Sequence, residues 1–187
     1  LGYFDDNYHL GENWYKSLFP TKSTKRKIQN KHGKFLTFDD TPFYVYNPLV
    51  IKRILSDFPN SKIIVSLRNP IDRAFSNYNL LVNPEYTFEE TIDLEINEIK
   101  NLNVELNDDS YLVDEFYEKI LTRGFYAKQL KLWYDSFPKN QILVISSEEL
   151  ASNTNNVLND IFNFLEISNF QINDLTKQNV RKFPPMN

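Results

Sequence analysis

The chain has 187 residues, of which 41% are hydrophobic and 15% aromatic, with a formal net charge of −4; this is enough apolar material for one domain with a sizeable core. It has no cysteine and only two histidines, His9 and His32, so disulfide frameworks, cysteine nucleophiles and thiolate zinc sites are excluded. No run of about 18 apolar residues is present to cross a membrane, and no charged-then-apolar signal region opens the chain.

The N-terminal stretch "YFDDNYHLGENWYKSLFP" (3–20) is aromatic-rich, and Trp14 reads as core. It is followed by "TKSTKRKIQNKHGK" (21–34), with six Lys/Arg and no acid, which leaves about −10 for the remainder. This basic stretch reads either as a solvated loop or as a contact for an anionic partner such as a sulfated glycan or nucleic acid. Three short apolar runs read as strands: "KFLTF" (34–38), "KIIVSL" (62–67) and "QILVIS" (141–146). Between the first two, "NPLVIKRILSDFP" (47–59) predicts a helix that begins after Pro48 and ends before Pro59.

A further helix is expected from Asp72. Long amphipathic stretches cover "FEETIDLEINEIKNL" (88–102), inside an acidic block from Glu85 to Glu118, and "DEFYEKILTRGFYAKQLKLWYDSF" (114–137), which Gly124 bends or splits. Trp133 in the latter reads as core. After the third strand, "SNTNNVLNDIFNFLEI" offers Asn and Thr as caps and Val157, Leu158, Ile161, Phe162 and Leu165 for burial. Strands alternating with helices predict an α/β fold with parallel strands in one domain over 1–187. No internal repeat or Gly/Ser linker interrupts it. Leu1 in place of an initiator Met and the ending "KFPPMN" suggest a segment of a longer polypeptide.

The stretch that carries chemistry is "KIIVSLRNPIDRAFSNY" (62–78). In open α/β sheets ligands sit beyond the carboxyl ends of buried strands, and Arg68 stands at such an end. Asn69 can cap, Pro70 suits a first helical turn, and Asp72 can reach the early amides. Arg73, Ser76 and Asn77 follow at spacings of three and four. A guanidinium, a hydroxyl and a helix N-terminus would together suit a phosphate group. The other reading is structural, with Arg68 or Arg73 paired to Asp72 or another carboxylate to hold the turn.

"LRNPIDRAFSNY" closely resembles the 3'-phosphate-binding motif of sulfotransferases that use 3'-phosphoadenosine 5'-phosphosulfate (PAPS). Four other stretches agree in order with heparan-sulfate and related bacterial sulfotransferases: residues 3–20, "DTPFYVYNPLVIKRILSDFPNSK", "GFYAKQLKLWYDSFPKNQILVISSEEL" and "NVRKFPPM". The resemblance implies a P-loop-NTPase-like parallel sheet flanked by helices. It implies that Arg68 and Ser76 grip the 3'-phosphate. Arg181 and Lys182 would belong to a C-terminal loop that closes over the cofactor, although "NVRKF" departs from the usual Lys-Gly-Arg form. Gly124 and Tyr126 match a family position near nucleotide or acceptor, with helix packing the alternative for Tyr126.

The implied chemistry is sulfuryl transfer from PAPS, without a metal, to a hydroxyl or amine of an acceptor, with carbohydrate favoured. The family's phosphosulfate loop and its usual acidic base correspond to sequence upstream of Leu1, and Leu80 stands where some relatives carry a His, so the catalytic residue is unknown and this segment alone is expected to fall short of turnover. The strand feeding that loop would lie between "KIIVSL" and "QILVIS", so the sheet is expected to lack its N-terminal central strand. The alternative is a non-catalytic module for an anionic glycan or nucleotide. A P-loop kinase would need GxxxxGK[ST], which this sequence lacks, and basic residues confined to one stretch of an acidic chain argue against nucleic acid as a partner. No membrane contact is expected from this segment. Absent cysteines and glycosylation sequons favour a cytoplasmic enzyme, with the Golgi lumen as the alternative if an anchor lies upstream.

Overall fold

A computed structural model describes residues 1–80, 85–101 and 119–172. The helices are α1 (Gly11–Ser17), α2 (Lys22–His32), α3 (Pro48–Asp57), α4 (Pro70–Tyr78), α5 (Phe88–Asn101), α6 (Tyr126–Ser136), α7 (Ser147–Ser152) and α8 (Thr154–Leu165). Two strands, β1 (Ile63–Leu67) and β2 (Ile142–Ser146), complete the regular structure of the described residues, with short 3-10 turns at Tyr8–Leu10, Pro42–Tyr46, Thr122–Gly124 and Lys139–Gln141.

Local chemistry explains most boundaries. α3 starts where Asn47 Oδ1 accepts the Leu49 N–H at 2.9 Å with Pro48 in the first turn, and stops before Pro59. α5 opens with a reciprocal capping box: Thr87 Oγ1 accepts from Glu90 N at 3.2 Å, and Glu90 Oε2 accepts from Thr87 N at 2.8 Å. The stretch expected to bend or split at Gly124 does split there, a 3-10 turn ending at Gly124 and α6 starting at Tyr126. Residues 114–118 lie outside the described part.

The core is an aromatic cluster, in which Tyr3, Phe4, Tyr15 and Tyr44 from the N-terminal quarter meet Val50, Ile51 and Ile54 of α3, Trp133 of α6, Phe137 just past α6, and Ile142 of β2. Trp14 packs partly buried against it, and Trp133 is 2% exposed. Tyr3 stacks on Tyr15 at 4.3 Å, and Phe4 meets Tyr44 edge-on at 5.7 Å. Polar tips are satisfied at the edge: Tyr3 and Tyr8 donate to Asp57, and Tyr44 donates to Asp39 at 2.9 Å while accepting from Phe4 N. Arg53 donates to the Phe4 and Asp5 carbonyls and lies over the Tyr8 ring.

Three expectations are corrected. Residues 34–38 form no strand: Leu36 and Phe38 are exposed, Phe38 by 85%. Just beyond them, Asp39 gathers the Leu1 amino group, Thr41 Oγ1 and Tyr44 OH into a side-chain knot that competes with a ladder. The basic stretch is a helix rather than a loop, capped by Thr21 through Thr24 N, with no buried residue. A short helix, α7, intervenes after β2, and of the five apolar residues expected to bury in α8 only Val157 is fully buried. The strand expected to be missing is indeed absent: among the described residues none lies between β1 and β2. They pair directly and in parallel from Ile63↔Ile142 to Leu67↔Ser146, because two edges with unsatisfied N–H and C=O groups satisfy each other when nothing separates them.

This pairing puts the carboxyl ends of both strands side by side. Ile63, Val65, Ile142 and Val144 line the core face, and Ile64 stays 39% exposed on the other. α3 packs on α6, α4 on the turn at Thr122–Gly124, and α7 and α8 on β2.

Candidate functional site

At the end of β1 the chain turns within two residues into α4. Asn69 makes that turn: its Oδ1 accepts from Ile71 N at 2.9 Å and Asp72 N at 3.4 Å, and its carbonyl accepts from Arg73 N at 2.9 Å. The early amides of α4 are therefore occupied by the chain itself. An anion arriving here would be met by side chains rather than by the open helix N-terminus that the sequence suggests.

Arg68 is exposed and forms no hydrogen bond or ion pair with another described residue, Asp72 included. Ser76 lies on α4, half-buried, with no hydrogen-bond partner for its hydroxyl among the described residues. Arg73 behaves differently. Its Nη2 donates to the Ile120 carbonyl, and its Nε is buried without a partner among the described residues. The structural reading of this stretch thus fits Arg73, through a carbonyl rather than a carboxylate.

Gly124 sits against the same element. A Cβ built there would stand 3.2 Å from Pro70 Cβ and 3.7 Å from Arg73 Nη2, so the residue is small because α4 approaches closely. Beside it a cleft of about 410 Å³ is lined by Gly124, Phe125, Tyr126, Ala127 and Lys128. Tyr126 is half-buried and lines this cleft rather than joining the aromatic core. Arg123 lies 5.0 Å from the Phe43 ring and 5.9 Å from that of Tyr46, with Nη1 3.4 Å from Asn77 Oδ1. Burial pushes the Tyr46 hydroxyl up from its ordinary value, while Arg73 and Arg123 pull it the other way. The structure thus packs α4, the helix that carries Ser76, against Gly124, with Tyr126 two residues on in the adjoining cleft. Arg181 and Lys182 lie outside the described residues. Leu80, just past α4, is exposed.

Three residues at or beside the site escaped the sequence reading. Glu148, in the first turn of α7, accepts from Asn69 N at 2.7 Å through Oε1 and from Ser146 Oγ at 2.8 Å through Oε2. These donors, the Asn69 amide foremost, hold its carboxyl well below the usual range, at about 2. Glu95 of α5 is buried and accepts from Ile120 N and Leu121 N, both at 2.7 Å, which steadies the carbonyl that Arg73 uses. Its signal was an acid at helical spacing from Ile92 and Ile99. Arg123 is the third, marked only by its place before Gly124.

Among the described residues no cluster of His, Cys, Asp or Glu could hold a metal ion, and no helix is long and apolar enough to cross a membrane. The α/β unit with parallel strands thus sets an unpaired arginine just past a strand's carboxyl end, where ligands of open α/β sheets sit, and a serine two turns into the next helix. A model of the sulfotransferase domain matches residues 42–187, and the chain belongs to that family.

The relatives agree. The membrane-associated sulfotransferase kil1 of Dictyostelium discoideum is 26% identical over 257 residues, covering all of this chain and 53% of that protein. Heparan sulfate glucosamine 3-O-sulfotransferase 3A1 of Mus musculus is 30% identical over 165 residues, covering 87% of this chain and 37% of its own length. The crystal structure of a sulfotransferase from Alicyclobacillus acidocaldarius superposes with a TM-score of 0.56 at 31% identity, over 73% of this chain and 52% of that one. The chain thus spans about half, or less, of the proteins it matches.

Proposed function

We propose that this chain carries the donor-binding part of a sulfotransferase that moves a sulfuryl group from PAPS to a hydroxyl or amine of an acceptor, with carbohydrate as the acceptor class. The observation that carries this reading is the unpaired Arg68 at the carboxyl end of β1, followed on α4 by the unbonded Ser76 hydroxyl. A guanidinium can give two N–H groups to two phosphate oxygens, and a hydroxyl can give a third donor. These groups fit the 3'-phosphate, the feature that separates this donor from ATP-like nucleotides. The bound donor supplies an activated sulfuryl group, which leaves its phosphate for the acceptor oxygen or nitrogen and so yields adenosine 3',5'-bisphosphate.

The chain's own residues bind and orient. Arg68 and Ser76 fix one end of the nucleotide. Gly124 keeps the wall beside α4 thin, and Tyr126 offers a ring and a hydroxyl on the cleft to nucleotide or acceptor. Arg181 and Lys182 would close over the cofactor from the C-terminal side. Glu148 is unsuited as the base for the acceptor proton, since a carboxylate held near 2 is a weak base at neutral pH. No residue is assigned as catalytic. The relatives named for heparan sulfate favour an anionic sugar polymer among carbohydrates.

The test is transfer of labelled sulfate from PAPS to a panel of glycans, lipids and small alcohols by the full gene product and its Arg68→Ala variant. The proposal expects labelled carbohydrate from the wild type and a loss of at least about tenfold in kcat/KM for the variant, as for removal of a charged hydrogen-bond partner. Binding of the nucleotide without label transfer to any acceptor would favour a non-catalytic module instead.

A further inference from the structure

We propose that Glu148 is a positioning residue for the Arg68–Ser76 clamp, acting by fixing the peptide plane that joins Arg68 to Asn69. The inference rests on the reading of Arg68 and Ser76 as an anion clamp, and adds to it a residue from the other strand.

The geometry runs from one strand end to the next. Ser146 is the last residue of β2 and pairs in register with Leu67, the last of β1. Its hydroxyl caps α7 by accepting from Glu149 N at 3.2 Å and donates to Glu148 Oε2 at 2.8 Å. The other carboxylate oxygen then reaches across the sheet edge to Asn69 N at 2.7 Å. That N–H belongs to the peptide following the Arg68 Cα, so its direction sets the ψ of Arg68 and with it how α4, which carries Ser76, is placed relative to the guanidinium. Asn69 is also tied through its side chain to Ile71 N and Asp72 N, and through its carbonyl to Arg73 N. Without Glu148 its amide alone would face water, and the Arg68 peptide could rotate.

Charge sharpens the point. A carboxylate beside a phosphate clamp repels the ligand the clamp is there to hold, so its contribution must be geometric. It does not neutralise Arg68, with which it forms no ion pair. A charged acceptor on a backbone N–H makes a short, strong bond, which suits a brace at an exposed strand end. Glutamine would keep the Oε1 acceptor and remove the charge, whereas alanine removes both. The account therefore ranks bisphosphate affinity as Glu148→Gln equal to or above wild type, and Glu148→Ala below both.

The experiment combines amide hydrogen exchange at Asn69 with calorimetric titration of adenosine 3',5'-bisphosphate and 5'-AMP into wild type, Glu148→Ala and Glu148→Gln. Expected are faster Asn69 exchange and about tenfold weaker bisphosphate binding in the alanine variant, with 5'-AMP changed less than about twofold and glutamine restoring both. Faster exchange with unchanged bisphosphate preference overturns the positioning role, as does glutamine behaving like alanine. Unchanged exchange overturns the brace itself. A wild type with no preference for the bisphosphate sinks the clamp reading and this inference with it, and that arm is read independently of the variants. If the alanine variant fails to fold, Ser146→Ala, which frees Oε2, substitutes with an expected loss of about threefold; no loss there contradicts the proposal.

Discussion

The aromatic base of the molecule and the mouth at the strand ends use polar groups in opposite ways. Around Tyr3, Tyr8 and Tyr44 the hydroxyls find Asp57 or Asp39, and Arg53 finds two carbonyls and a ring. At the mouth, Arg68 and Ser76 have no partner among the described residues, although Asn69 between them is bonded at every turn. Polar groups at the base serve the fold, and those at the mouth stand on a fold that does not need them. Substitutions at the base should therefore cost stability, and those at the mouth should cost binding.

The largest effect expected is at Trp133, 2% exposed, stacked on Phe137 and bonded to the Val45 carbonyl through Nε1. Trp133→Ala should destabilise by about 3–5 kcal/mol, read by urea denaturation; a loss below about 1 kcal/mol would remove the base as the stabilising centre. Alkaline pH attacks the same region. Burial, first among the causes, pushes the Tyr3 and Tyr44 hydroxyls up to about 12 and the Tyr15 hydroxyl up as well. The folded state holds these protons more tightly than the unfolded chain, so the stability is present in full below pH about 10 and is lost as pH rises from about 10 towards 12. Denaturation midpoints followed from pH 7 to 12 should stay flat with respect to these groups up to about 9.5 and then fall.

Smaller effects separate contact from charge. Gly124→Ala forces a Cβ to within 3.2 Å of the Pro70 ring, and should cost about 1 kcal/mol in thermal melts as a small overpacking. Tyr44→Phe removes the hydroxyl bonded to Asp39 and Phe4 N, for a loss of about 1 kcal/mol. Least of all, Lys25→Gln with Lys27→Gln on the solvent-exposed α2 should change stability by under about 0.5 kcal/mol, and upward if anything, since they relieve like-charge crowding on the helix. A larger loss would mean that α2 is held by contacts its exposure does not reveal.

What could be read in the sequence depended on how far each signal reaches along the chain. α3 and α4 were legible because their caps, Asn47 and Asn69, and their prolines act within a few residues. β1 and β2 were legible as apolar runs. Their direct pairing was not, because register depends on which edge is free, and the resemblance implied that in larger relatives a strand missing from this chain lies between them. The run at 34–38 had strand composition but no neighbour to pair with among the described residues, and α2 had no apolar stripe to mark it as a helix. In the site, Arg68 and Ser76 were legible as one motif on one turn. Glu148 was not: its role arises from a contact with Asn69 across 79 positions, and locally "SSEEL" reads only as a helix start.

The comparison between base and mouth comes down to whether the unpaired groups at β1 and α4 hold a 3'-phosphate. The most direct measurement is the ratio of dissociation constants for 5'-AMP and adenosine 3',5'-bisphosphate, taken by calorimetry on the wild type and on Arg68→Ala/Ser76→Ala. The account predicts that the wild type prefers the bisphosphate by about tenfold or more and that the double variant loses this preference while melting at the wild-type temperature. Equal affinity for the two nucleotides in a folded wild type, or a preference that survives the double substitution, would contradict it.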